Sequence, residues 1–461
     1  MFPGASFHRI GGSLDLLQTR SEVESLIIDT NAKSLLQNVA GYNMEIISKD
    51  VHLLASKYLF ETDHEARLVY SSYIRRTNDP IAIQSVRTVI ENHYSSLLDS
   101  INAADQESGA LLARLSFTLL NDVATQDMQA TAAECKHVPN LVAYIQYLVE
   151  KLDSNVRVAV ENISFSSQKY PLNGWLSSIR NTLEVQFQQK DIWKSDGPWY
   201  DLLLRIGNLG LRACQCVLEV CSNESPEGNM PASFREIHEN IELGITEASQ
   251  LEDTGAIAQI VLRHCFRVVK EATDCLLSII ISIPKEYLDR FMPLCLTFGS
   301  LLCKLISTVR HRGAIGAAQV NFAKLCSYFI SCGNQELRMI PRRWLDDFLG
   351  QIQDLEISVT RRSAGLPMAI LSVINSPPSA HEKSNYLRFA VEQLLEMFDS
   401  DLNIRKEQMD LAEVHALNVL RYFLVNIAHW FSLQSWLLTF DHISNRYILF
   451  ALSNSARRTF L

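Results

Sequence analysis

Gly316-Ala-Ala-Gln-Val-Asn-Phe-Ala-Lys-Leu-Cys-Ser-Tyr-Phe-Ile330 decides the fold. Ala318, Phe322, Leu325 and Phe329 recur at i, i+4, i+7 and i+11, the spacing that lines one side of an α-helix. A second stripe follows at Trp344, Leu345, Phe348, Leu349 and Ile352, and a third at Ala416, Leu420 and Phe423. No run of alternating strands and no Asn-Gly hairpin interrupts them. With only 18 glycines in 461 residues, an all-β reading is disfavoured and the chain reads as all-α.

The hydrophobic share of 47% supports a large buried core and excludes disorder. The length suits about three ordinary domains or one elongated repeat array. Candidate breaks fall at 169–173, 194–199, 222–233, 331–336, 375–385 and 399–410. The clearest are the loop-like Ser222-Asn-Glu-Ser-Pro-Glu-Gly-Asn-Met-Pro and Ser376-Pro-Pro-Ser-Ala-His-Glu-Lys-Ser. Blocks between breaks fit two antiparallel helices each. This predicts a HEAT- or armadillo-like α-solenoid, with an irregular helical bundle as the alternative.

Ten cysteines are scattered singly along apolar segments, as expected of small buried hydrophobes in a reducing compartment. Met1 to Gly12 has no apolar signal core. The run Leu276 to Ile283 is far shorter than the ~20 residues of a membrane span. A cytoplasmic protein without a membrane segment is the expectation.

The net charge of −9 excludes a general polyanion binder. Between Ser300 and Trp344, however, Lys304, Arg310, Arg312, Lys324, Arg338, Arg342 and Arg343 face one acid, Glu336. Read linearly, this is a concentrated positive face suited to phosphate. A solvated helix face paired to neighbouring acids is the plainer reading. Just downstream lies Thr360-Arg361-Arg362-Ser363-Ala364-Gly365-Leu366-Pro367. Gly and Pro are unfavourable inside a helix, by ~1 and ~3 kcal/mol against Ala. The segment therefore predicts a kinked, exposed backbone presenting two guanidinium forks, with Gly365 admitting a close neighbour such as another backbone or a phosphate.

Catalytic and metal chemistry is not legible. Gly313-Ala-Ile-Gly316 lacks the third glycine, strand and acidic partner of a dinucleotide fingerprint, and reads as small residues for close helix packing. Cys214, Cys216 and Cys221 lie in an apolar helical pattern, and Cys135 with His137 is too isolated to complete a zinc site. Ser363 has no nucleophile turn and no paired base. His415 and Asn418 share a helical face with Tyr422, a polar stripe that suits either a ligand or inter-helix hydrogen bonds. No catalytic, cofactor or metal residue is assigned.

Four segments in order carry a resemblance: Val309-Arg-His-Arg-Gly-Ala314, Phe322-Ala-Lys-Leu-Cys326, Thr360 to Pro367, and Val414-His-Ala-Leu-Asn-Val-Leu420. Together they resemble the central domain of the THADA family. That resemblance implies a helical-repeat regulator without a methyltransferase fold. Such a regulator positions tRNA for an FtsJ-type partner that methylates a ribose 2′-hydroxyl in the anticodon loop. The partner, not this chain, would bind S-adenosylmethionine. The resemblance assigns contact with tRNA or partner to Arg361, Arg362, Ser363, Gly365, Leu366 and Pro367, extended by Arg310, His311 and Arg312 and supported by His415 and Asn418. It also divides the chain into a helical region at 1–270, the family domain at 271–424 and a divergent tail at 425–461. The tail lacks an evident polar cap, which predicts a truncated isoform, a fragment or a faulty gene model. The alternatives are a HEAT-type protein scaffold without RNA binding and a non-functional short product.

Overall fold

The computed structural model describes residues 90–91, 93–130, 138–187, 190–193, 197–222, 253–309, 311–353, 365–399, 415–416 and 418–423. Among these the structure is all-α, with no strand. The helices are α1 (Ala103–Ala130), α2 (Val138–Glu161), α3 (Ile163–Lys169), α4 (Asn173–Gln186), α5 (Pro198–Ser222), α6 (Asp253–Ser282), α7 (Leu288–Thr308), α8 (Arg312–Ser331), α9 (Gln335–Gln353), α10 (Leu366–Asn375) and α11 (Ala380–Asp399). Short 3-10 turns occupy Lys190–Trp193 and Lys285–Tyr287. The chain forms two compact units, one of residues 1–213 with 255–264, the other of 214–254 with 265–461.

In the first unit α4 packs on α1 and α2. Gly174, at the start of α4, comes close to the chain just before α1: a Cβ there would stand 2.7 Å from the Leu98 carbonyl oxygen. The neighbouring Trp175 is buried, and its indole N–H donates to Asp99 Oδ1 at 2.8 Å. Burial raises the Asp99 carboxyl, although this hydrogen bond pulls it back. On α2, Asp153 gathers three arginines: Arg157 at 2.8 Å, Arg205 at 3.3 Å and Arg212 at 3.8 Å. Burial alone would raise the Asp153 carboxyl. The hydrogen bonds and charges of Arg157 and Arg205 outweigh it and hold the group below its ordinary value.

In the second unit α7, α8, α9, α10 and α11 each pack on near neighbours in sequence, the contact pattern that a stacked helical array requires. The stripes read from the sequence form its core. Ala318, Phe322, Leu325 and Phe329 are wholly buried, as are Leu345, Phe348, Leu349 and Ile352 or nearly so. Trp344 of α9 ties three helices together. Its ring lies 5.3 Å from Phe322 and 5.7 Å from Phe329, and its edge fills the space left by the missing side chain of Gly299 on α7.

The breaks at 169–173 and 331–336 coincide with helix ends. In the second, Gly333 takes φ +87°, the left-handed conformation that ends a helix without a Cβ penalty. Asn334 then caps α9, accepting from Leu337 N at 3.0 Å. After Asn375 the chain resumes helix at Ala380, sooner than the sequence suggests. Two helix breaks escape the sequence reading, between α6 and α7 and between α7 and α8. The longest apolar stretch also differs from expectation: Lys285–Thr308 is long and apolar enough to cross a membrane, and half of it is buried inside the fold. Nine described cysteines are in no disulfide, and burial raises the thiols of Cys214, Cys303 and Cys326, with Cys295 pushed up to about 12.

Replacing Trp344 with Ala removes the contact shared by α7, α8 and α9. Denaturant unfolding should show a loss of about 3–5 kcal/mol, and an unchanged midpoint would contradict this packing. Asp153, whose folded-state pKa is depressed, contributes stability that is complete above its ordinary value of 3.8 and disappears as pH falls through the lower folded-state value. Acid titration of the Asp153→Asn variant should therefore show a smaller stability loss below pH about 4.

Candidate functional site

The site is built where α7 ends and both α8 and α10 begin. Helix α7 stops at Thr308 because Val309 turns to extended backbone, φ −70° and ψ 141°. His311, also extended, is the N-cap of α8, and its Nδ1 accepts from Ala314 N at 3.3 Å. That acceptor role places the imidazole proton on Nε2. The ring lies flat against Phe266 with centroids 5.1 Å apart, so an exposed His is held in one orientation. Arg312 follows as the first residue of α8 and is exposed.

Gly365 is the N-cap of α10 and is buried. Its φ of −85° and ψ of −27° suit any residue, so the requirement for glycine here is one of space. A Cβ would overlap the Ile306 carbonyl oxygen in the last turn of α7. Carbonyls of a last turn lack helical partners and carry the negative end of the helix dipole, while the start of α10 carries the positive end. The two ends meet head to tail. Leu366 and Pro367 occupy the first turn, where a missing N–H leaves no helical bond unmade.

This seat aligns α10 with α8. Gly365 starts α10 beside the α7–α8 junction, and about two turns into each helix Gln319 Nε2 donates to Ser372 Oγ at 3.2 Å; taken together, the two contacts run α8 and α10 side by side in the same direction. Both positive ends therefore lie at the end of the unit marked by Ile306, and neither first turn contains an acid. Lys304 and Arg312 are exposed there, and among the described residues no ion pair engages them.

Several expectations are corrected. Gly365, Leu366 and Pro367 do not form an exposed kink inside a helix; they are buried and begin one, because the chain enters α10 against α7. The linear cluster of positive charge is not one face. Antiparallel reversals place Arg338, Arg342 and Arg343 in the first half of α9, away from Arg312. Arg338 there pairs with Glu382 at 3.0 Å, and Arg342 stacks 3.4 Å over Phe389 of α11. His415 is buried whereas Asn418 is exposed, so the two do not present a common surface. Of the glycine pair, Gly313 packs near Phe266, while Gly316 has open space where a side chain would stand. Arg310, Arg361, Arg362 and Ser363 lie outside the described residues, as do Cys135 and His137. Among the described residues no group of His, Cys, Asp and Glu is arranged to hold a metal.

The capping role of His311 was missed by the sequence reading. Its signal was the position of a polar residue three before Ala314, but His is not a usual cap and Val309-Arg-His-Arg carries no turn residue.

Among the described residues these features define an all-helical protein whose helices pack on sequence neighbours and in which the starts of α8 and α10 lie near one another. The comparisons with known proteins narrow that class. Residues 201–426 match the domain described as THADA/TRM732, DUF2428, so the resemblance to the THADA family read from the sequence is shown. It is 26% identical over 439 residues to the tRNA (32-2′-O)-methyltransferase regulator trm732 of Schizosaccharomyces pombe, covering 91% of this chain and 27% of that protein. It is 23% identical over 364 residues to the tRNA (32-2′-O)-methyltransferase regulator THADA of Homo sapiens, covering 68% of this chain and 18% of the relative. The Drosophila melanogaster THADA regulator is 22% identical, over 70% of this chain and 20% of its own length. The chain thus spans about a quarter or less of these relatives. No solved structure matches it.

Two glycine substitutions separate space from conformation. Gly365→Ala should destabilise the second unit by about 1–3 kcal/mol, because the new methyl group meets a backbone carbonyl. Gly316→Ala should stabilise α8 by up to about 1 kcal/mol. Urea unfolding of both variants reads the opposite signs directly.

Proposed function

We propose that this chain is a non-catalytic regulatory piece that holds tRNA for a partner methyltransferase of FtsJ type, directing it to the ribose 2′-hydroxyl at anticodon-loop position 32. The reading takes its target from the names of the relatives. The observation that supports it is the seat of Gly365 on Ile306, which fixes the start of α10 and with it the Gly-Leu-Pro end of the Arg-Arg-Ser-Ala-Gly-Leu-Pro motif.

On this reading Arg361 and Arg362 contact tRNA phosphates or the partner, joined by Arg310, Arg312 and the exposed edge of His311. Guanidinium forks suit phosphate because two N–H donors meet two oxygens at once. Helix starts add oriented backbone N–H groups that favour the same charge. Gly365, Leu366 and Pro367 act by holding the segment in place. Ser363 serves the same segment, and Asn418 offers a polar group on the surface above buried His415. S-adenosylmethionine belongs to the partner, and the chain itself contributes orientation, which in bimolecular chemistry is a large share of rate enhancement. The working compartment on this reading is the cytoplasm.

The double variant Arg361→Ala with Arg362→Ala should lower methylation at that nucleotide about tenfold or more. The reason is that each charge-assisted contact is worth ~1.5–3 kcal/mol. Its thermal midpoint should match the parent. Undiminished methylation in cells carrying only the double variant would end this reading.

A further inference from the structure

The first unit holds a cleft of about 390 Å³ lined by Asp153, Arg157, Asp201, Arg205, Asn208 and Arg212. It lies within one unit and shares no residue with the site described above. We propose that this cleft is a second contact for an RNA backbone, with Arg157, Arg205 and Arg212 as its phosphate-binding groups. The inference rests on the reading of the chain as a tRNA-holding regulator.

The plain alternative is a structural ion network in which the arginines merely satisfy Asp153. Donor arithmetic weighs against that as the whole role. Each guanidinium carries five N–H donors in a planar fork, while one carboxylate offers two oxygens. Arg157 and Arg205 both meet Asp153 Oδ2, and Arg212 meets Oδ1. Most donors are left to face the cleft. The side chains remain accessible, at 70% for Arg157, 43% for Arg205 and 49% for Arg212, whereas Asp153 is 11% exposed. The carboxylate therefore sits underneath as an anchor, holding three cationic groups at one place, and their charges exceed those of Asp153 and Asp201 together.

The arrangement favours a polymer over a free anion. Arg205, Asn208 and Arg212 follow one another along a single face of α5, a repeat of three to four residues. Arg205 and Arg212 are thus separated by about 10 Å along the helix axis, roughly three times the ~3.4 Å rise per nucleotide of one strand. A row of donors of that length reaches more than one phosphate of a strand, and Asn208 between them adds a neutral hydrogen-bonding group. Recognition by shape and phosphate is the usual mode for structured RNA. Asp201, exposed at the same face, opposes the anion.

The test measures binding of a tRNA transcript to the full 461-residue chain by fluorescence anisotropy across a salt series. Arg157→Gln with Arg205→Gln should weaken binding and flatten the dependence of log affinity on log salt by about 1–2, since each lost phosphate contact removes roughly one unit of slope. Asp201→Asn should tighten binding about two-fold, an effect that a purely structural network would not give. Should the double variant unfold, as judged by circular dichroism, Arg157→Gln alone decides, because among the residues described here Arg157 makes its ion pair only with Asp153. An unchanged slope in a folded variant overturns the proposal, as does weaker binding by Asp201→Asn or retained tRNA binding with loss of an acidic protein partner. The Arg361→Ala, Arg362→Ala variant measured in parallel separates the two sites. If its slope and its methylation are normal while the cleft variants lose affinity, the segment before α10 fails and the cleft stands. The reverse pattern leaves that segment and removes the cleft.

Discussion

The close approach of Gly365 to the Ile306 carbonyl is the constraint on which the second unit depends. It is a contact between backbones, so no side-chain rearrangement can relieve it if a Cβ is added. It sets the end of α7 against the start of α10 with opposite partial charges facing. It also fixes the register in which α10 lies along α8, confirmed further down by the Gln319–Ser372 hydrogen bond. Helix α10 then touches α7, α8, α9 and α11, which explains why the segment Leu366–Asn375 is so apolar. Its buried residues include Leu366, Ala369, Ile370, Val373 and Ile374. A ten-residue helix is too short to persist in water by its own propensity, so it exists because this seat and this burial hold it.

The sequence made the helices legible because their burial is one-sided and their period is unmistakable. Phe322, Leu325 and Phe329 could be assigned to a core stripe before any coordinates, and all three are fully buried. What the pattern did not carry was the path between helices. Between α7 and α8 the described Val309 and His311 are extended, residues with no turn preference of their own, and α8 is started by an imidazole cap that stacks against Phe266, distant in sequence. Glycine was ambiguous for the same reason. At Gly365 the missing Cβ answers to a neighbouring helix, at Gly333 to a positive φ, and at Gly316 to nothing nearby. Only the second of these demands is local.

Charge behaved differently from apolarity. Counting along the chain from 300 to 344 gave one strong positive cluster, but two reversals divide it, and part of it is committed to packing. Arg342 lies over Phe389 with its charge balanced by Asp346, and Arg338 pairs with Glu382, so these two cations fasten α9 to α11. The arginines around Asp153 show the opposite case. Arg205 stands 52 positions from its carboxylate, and no window on the sequence contains both. Apolar stripes are a property of one helix and can be read from it, whereas an electrostatic site is a property of several helices and emerges only after they pack.

Guanidinium groups and helix starts share a further limit that bears on how a regulator of this build would act. They recognise charge and its spacing, and they carry no information about which base or which ribose lies beneath. An RNA held only in this way is fixed in position and orientation, and its sequence goes unread. Selection of a single nucleotide then follows from geometry: a rigid helical support sets the distance from the points of phosphate contact to the partner's reacting centre, and the nucleotide that lies at that distance is the one modified. Rigidity in the support is therefore part of specificity, since a displacement on the order of 1 Å can lower the rate ~10²-fold. Backbone-to-backbone seating such as that of Gly365 on Ile306 suits this requirement better than flexible side-chain contacts. It makes the burial of the motif's Gly-Leu-Pro portion a rigid base for whatever precedes it in the chain.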